Sequence, residues 1–104
     1  MIFFLWVRKM PMKRAQPKHF EVQIDPEDPV YIISVVSTIV HIPIWTLRKL
    51  DDLDVVKPQR IGKKTRCYSQ KQIEVLSYVH YLMEVKRVNI SGIKMILQIE
   101  KNSR

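Results

Sequence analysis

The sequence predicts a mainly α-helical fold built around a small β wing, and three observations carry that reading. Pro43 opens a short helix, because its fixed φ suits a first helical turn, and Leu47 and Leu50, three apart, give that helix one apolar stripe. A basic run without a single acid follows: Lys57, Arg60, Lys63, Lys64 and Arg66, turning at Gly62 and closing on Tyr68. Beyond it lie two segments with caps and helical periods, from Ser69 to Val85 and from Asn89 to Glu100. A short helix followed by a cationic turn is the layout of a protein that holds nucleic-acid phosphates.

Composition narrows the function classes. A chain of 104 residues is one small domain with tails, whose modest core favours association with a second copy. Its net charge of +8 and pI near 9.8 point to nucleic acid or an anionic surface as partner. One cysteine excludes an internal disulfide and fits a reducing cytosol. With only Gly62 and Gly92 there is no Gly-rich phosphate loop, and neither a nucleophile elbow nor paired catalytic carboxylates occur. His19, His41 and His80 have no metal-ligand spacing with Cys67 or one another. Asp51, Asp52 and Asp54, nearly consecutive on a turning helix, cannot converge on a cation. No enzyme activity, cofactor or metal is expected.

Along the chain, Met1 to Val7 (MIFFLWV) is apolar but far shorter than the ~20 residues of a membrane span. A signal peptide would place its charges before the apolar run, whereas Arg8 and Lys9 follow it. Met10 or Met12 would begin a more conventional chain, so residues 1–11 are read as an extension outside the domain. Lys13 to Asp28 holds Pro17 and Pro26, basic residues first and acids after, and reads as a disordered or loosely packed arm. Lys13, Arg14 and Lys18 there either follow a DNA backbone or form a solvated tail.

Pro29 to His41 carries two conflicting signals. Its β-branched residues favour a strand, while Ile32, Val35, Val36, Ile39 and Val40 fall on one helical face with Ser34 as candidate N-cap. The later helices are clearer. Ser69 caps the first, with Ile73, Leu76, Val79, Leu82 and Met83 as its apolar positions, and Lys86 and Arg87 suit its negative end. Asn89 caps the second, with Ile90, Ile93, Ile96 and Leu97 on one side.

Thr46-Leu47-Arg48, then Asp51, then Lys57-Pro58-Gln59-Arg60, then Arg66-Cys67-Tyr68-Ser69 resembles the signature of the mercury-resistance-regulator (MerR) family. Val88-Asn89-Ile90-Ser91-Gly92-Ile93 is similar to the branch that represses heat-shock genes. No single piece is specific; the order and spacing from Tyr31 to about Glu100 carry the likeness. Three positions depart from it: Leu50 replaces the family's aromatic, whose hydroxyl lies near the DNA backbone, Asp51 its Glu, and Asp54 its Gly. The last puts Asp where a left-handed helix-ending residue sits, which Asp tolerates. The resemblance implies a two- or three-residue strand and then a helix in the ambiguous stretch. It thus implies a mainly α winged helix-turn-helix of four helices with a short two- or three-stranded wing sheet. The expected boundaries are an arm over 1–29, a DNA-binding domain over 30–100, and a tail over 101–104.

Each candidate DNA-binding residue has a rival use. Arg48 points away from the apolar stripe, towards a phosphate or base edge, with Lys49 beside it; an ion pair from Arg48 to Asp51 or Asp52 is the alternative. Trp45 and Thr46 lie at the helix's N-terminal end, where such proteins read bases, yet Trp45 could equally plug the small core. Lys57, Arg60, Lys63, Lys64 and Arg66 flank the wing turn as phosphate contacts, or form a solvated face. Tyr68 packs its ring under the wing, leaving its hydroxyl for a backbone or phosphate bond.

The expected function is sequence-specific binding of double-stranded DNA at an inverted-repeat operator. The chain would act as a transcriptional regulator, a repressor of stress or chaperone genes, in the cytoplasm at the nucleoid. It would work as a homodimer, without a small-molecule effector or membrane. Two alternatives stay open: an excisionase-like module that bends DNA, and a basic protein-interaction adaptor.

Overall fold

The computed structural model describes residues 23–103; the apolar start, Lys13, Arg14, Lys18 and His19 lie outside them. In chain order the elements are β1 (Tyr31–Ile32), α1 (Ile33–Val40), α2 (Ile44–Asp52), β2 (Gln59–Ile61), β3 (Thr65–Tyr68), α3 (Gln70–Glu84) and α4 (Ile90–Asn102). The strands form one antiparallel sheet in the order β1-β3-β2. This is the expected winged helix-turn-helix, with a three-stranded sheet.

The ambiguous stretch resolves into both of its signals. Tyr31 pairs with Tyr68 and Ile32 with Cys67, and the chain then turns directly into α1. Ser34 is not the cap: Ile32 occupies that position without a side-chain bond, because the helix grows straight off the strand and Ser34 falls inside it. Nor do the five aliphatics share one buried face. Val36 and Val40, four apart, are buried, whereas Ile32, Val35 and Ile39 are 42%, 44% and 48% exposed. Val35 and Ile39 stand about 100° round the helix from Val36 and Val40, too far for one stripe to cover both.

His41, with φ 61°, ends α1, and its N–H donates to Ser37 O at 2.9 Å. Ser37 Oγ donates to Ile42 O at 2.6 Å, which turns the chain and drops Ile42 into the core. Pro43 stands just ahead of α2, where its carbonyl accepts from Thr46 and Leu47 at 3.0 Å. The other end of α2 closes as a Schellman motif: Val55 N–H donates to Leu50 O at 2.9 Å and Asp54 N–H to Asp51 O at 3.0 Å. Asp54 adopts φ 60°, the left-handed geometry expected there.

At the wing tip Gly62, φ 69°, takes the left-handed turn between β2 and β3. Ser69 then caps α3 through a reciprocal box: its Oγ accepts from Gln72 N–H at 3.1 Å while Gln72 Oε1 accepts from Ser69 N–H at 3.0 Å. The end of the N-terminal arm is a turn fastened to this site, with Lys71 N–H donating to Pro26 O at 3.0 Å and Lys71 Nζ 3.3 Å from Glu27. Asn89 Oδ1 caps α4 by accepting from Gly92 N–H at 2.8 Å. A Cβ at Gly92 would stand 2.8 Å from Val88 Cγ1, so the close approach there depends on glycine.

One core joins all four helices to the sheet: Val36, Val40, Ile42, Leu47, Leu50, Val56, Tyr68, Leu76, Val79, Leu82 and Ile93. The apolar positions read from the sequence for α3 and α4 face it, with Leu76, Val79 and Ile93 fully covered and Leu82 nearly so. Tyr68 is the largest side chain enclosed, and its hydroxyl has no hydrogen-bond partner among the described residues. The ring is therefore under the wing as expected, but the hydroxyl is sealed in rather than free for phosphate.

Burial, with Asp51 nearby, pushes the Tyr68 phenol up to about 12. The fold thus favours the neutral form, and this contribution is intact below about pH 10 and lost as pH rises through the folded value. Tyr68→Phe removes the orphaned hydroxyl and is expected to stabilise the domain by about 1 kcal/mol. It should also flatten the alkaline loss of stability between pH 10 and about 12. Thermal melts across that range check both.

Candidate nucleic-acid interface

Two elements present the basic side chains, and each is placed by the core beneath it. The period of α2 turns Thr46, Leu47, Leu50 and Asp51 inward, all buried, and leaves Trp45, Arg48, Lys49 and Asp52 outward at spacings of three and four. Trp45 is 70% exposed, so it does not plug the core. Thr46 is 4% exposed and stands on the inward side, away from Trp45 and Arg48. Leu50, where the resemblance expects an aromatic, is fully buried. Arg48 and Lys49 are exposed, and Arg48 makes no ion pair among the described residues. Its rival partner Asp51 is turned the other way.

Asp51 is the residue the sequence reading undervalued. Its side chain is only 4% exposed and gathers three cations of the basic run. Lys57 Nζ lies 3.1 Å from Oδ1, while Arg66 Nε and Arg60 Nη2 donate to Oδ2 at 2.7 and 3.2 Å. Burial alone would raise the Asp51 carboxyl, but the bonds from Arg66 and Lys57 outweigh it and hold the group below the usual carboxylate range. The hydrogen bonds from Lys57 to Asp51 and Asp54 raise the Lys57 ammonium in return.

This arrangement resolves a conflict within the wing. Arg60 and Arg66 are direct cross-strand partners in the β2–β3 hairpin, and like charges so placed repel. Asp51 Oδ2 accepts from both, so one buried carboxylate holds the two strands under the C-terminal half of α2. Gln72 Nε2 donates to Lys57 O at 2.6 Å and ties the base of the wing to α3.

The five basic residues, alike in sequence, therefore divide. Lys57, Arg60 and Arg66 are bonded to Asp51, although Lys57 and Arg60 keep 60% and 46% of their side-chain surface exposed. Lys63 and Lys64 stand exposed at the tip with no ion pair among the described residues. A signal for this division was present: Asp51 follows Leu47 by four residues, on the stripe that faces the core.

One further cation comes close to the α2 surface. Sequence reading gave Lys86 and Arg87 to the negative end of α3, but α3 ends at Glu84 and Arg87 follows with φ 57°. Arg87 and Lys49 line one open cleft of about 520 Å³ with Leu53, Asn89 and Ser91. Among the described residues no three His, Cys, Asp or Glu side chains are placed to hold a metal. No helix among them is long and apolar enough to cross a membrane.

Comparison with known proteins agrees with this geometry. Residues 31–99 match the family described as MerR HTH family regulatory protein. The chain is also 36% identical over 78 residues to the "Putative heat shock protein HspR" of Streptomyces coelicolor, an alignment covering 75% of this chain and 52% of that protein. The chain spans about half the length of that relative.

Proposed function

We propose that this chain, which belongs to the MerR HTH family of regulatory proteins, binds double-stranded DNA by sequence and regulates transcription, repressing heat-shock or chaperone genes. One observation carries the reading: the outward stripe of α2, Trp45, Arg48 and Lys49, is uncovered beside a wing that Asp51 fastens to the same helix. Trp45 and Arg48 take the base edges of a major groove, Lys49 an adjoining phosphate, and Lys63 and Lys64 the phosphates beyond. The heat-shock assignment rests on the likeness to the Streptomyces coelicolor protein. Two copies on an inverted repeat would double the phosphate contacts of one small domain and fit the two-fold symmetry of such sites.

Selection of bound duplexes from a random pool tests this directly, and a pool without enrichment would sink it. On the selected duplex, log affinity against log salt is expected to fall with a slope of about −3 per copy, near −0.9 for each of the phosphates met by Lys49, Lys63 and Lys64. Replacing Lys63 and Lys64 together by Ala should weaken selected and scrambled duplexes alike and flatten the slope by about one per lost contact. Weakening confined to one sequence would mean that the wing reads bases.

A further inference from the structure

Asp51 differs in its surroundings from its neighbour in the last turn of α2: its side chain is 4% exposed, against 70% for Asp52. An acid near phosphates ordinarily weakens binding by repulsion, and its removal strengthens it. Asp51, however, is buried, and its two oxygens are both occupied, by Lys57 on one and by Arg60 and Arg66 on the other. Its repulsion is neutralised internally by three cations, two of them still half in solvent. Its backbone sits in the last turn of α2, one turn from Arg48, while its partners stand on β2, β3 and the loop before them.

We infer that Asp51 is a positioning residue for sequence discrimination: it sets the wing at one angle to α2, so base edges and flanking phosphates are met together only on the right DNA. This rests on the proposed DNA-binding function and deepens it. Non-specific binding needs positive charge at no defined geometry, whereas specific binding needs both elements in register. Loss of the Asp51 charge therefore splits the two affinities. The chain becomes more positive by one unit, which helps any duplex, while the wing loses its orientation and only the selected site suffers.

The test compares wild type, Asp51→Asn and Asp51→Glu on two duplexes of equal length, one selected from a random pool by the wild-type protein and one scrambled. Asp51→Asn is expected to lower the ratio of selected to scrambled affinity by about tenfold, the worth of roughly one base contact, while affinity for the scrambled duplex holds or rises. Asp51→Glu should restore part of the ratio. Should Asp51→Asn not fold, Arg60→Met carries the same test, since Lys57 and Arg66 still cover the carboxylate. Its melting temperature should be near wild type; the lost charge weakens both duplexes, and the selected one should lose more than the scrambled one. A ratio unchanged in Asp51→Asn, or an equal fall on both duplexes in Arg60→Met, overturns the inference and leaves the DNA-binding reading standing. A wild-type protein with no preference between duplexes overturns that reading itself.

Discussion

Arg48→Ala is expected to cut affinity for a selected DNA site by about ten- to a hundredfold, the worth of one charge-assisted base or phosphate contact, with the melting temperature scarcely moved. Arg48 is exposed on the outward face of α2 and holds no ion pair among the described residues, so its removal breaks nothing inside the fold. The alternative employment, a pair with Asp51 at i+3, is closed because Asp51 faces inward and is bonded to Lys57, Arg60 and Arg66. Asp52, the i+4 position, lies 4.0 Å from Arg66 Nη2. Arg48→Lys separates the two kinds of contact: it should recover much of the affinity at a phosphate and little at a bidentate base edge. Fluorescence anisotropy titrations with parallel melts decide the matter. An early melt with undiminished binding would make Arg48 a structural residue.

Leu50→Ala is expected to have the largest effect on stability, about 3–5 kcal/mol, enough to leave so small a domain largely unfolded near physiological temperature. Leu50 is fully buried, and its carbonyl accepts from Val55 in the motif that ends α2. Truncation leaves a cavity bordered by the core that joins α2 to the other helices and the sheet. That core is rigid enough to fill the void only in part. DNA binding would be lost along with the fold, in contrast to Arg48→Ala, where fold and binding part company. Circular dichroism melts read the difference. A variant melting within about 5 °C of wild type, a loss near 1 kcal/mol, would mean that the core closes over the missing side chain and does not depend on Leu50.

Features that rest on interactions within one helical turn are legible in the sequence, and those that rest on distant residues are set by packing. Ser69 and Asn89 were legible as caps because each bonds a backbone N–H three residues on, and a cap is settled within one helical turn. The apolar periods of α3 and α4 and the turn at Gly62 are equally local and stand where expected, whereas the left-handed residue at Asp54 was expected through family likeness. The strand before α1 was legible only through family likeness. Its two residues are held by β3, more than thirty positions away, and β-branched propensity does not choose between helix and strand without that neighbour.

The candidate site divides the same way. That Arg48 and Lys49 point outward followed from Leu47 and Leu50 pointing inward, a matter of helical phase. Which cations are free did not follow from the basic run. Asp51 reaches Arg66 across fifteen residues, and sequence spacing between separate elements carries no distance. Trp45 out, Thr46 in and the Tyr68 hydroxyl sealed off were likewise decided by packing. A helix of nine residues has more than one face that could be covered, and only the rest of the core selects which one.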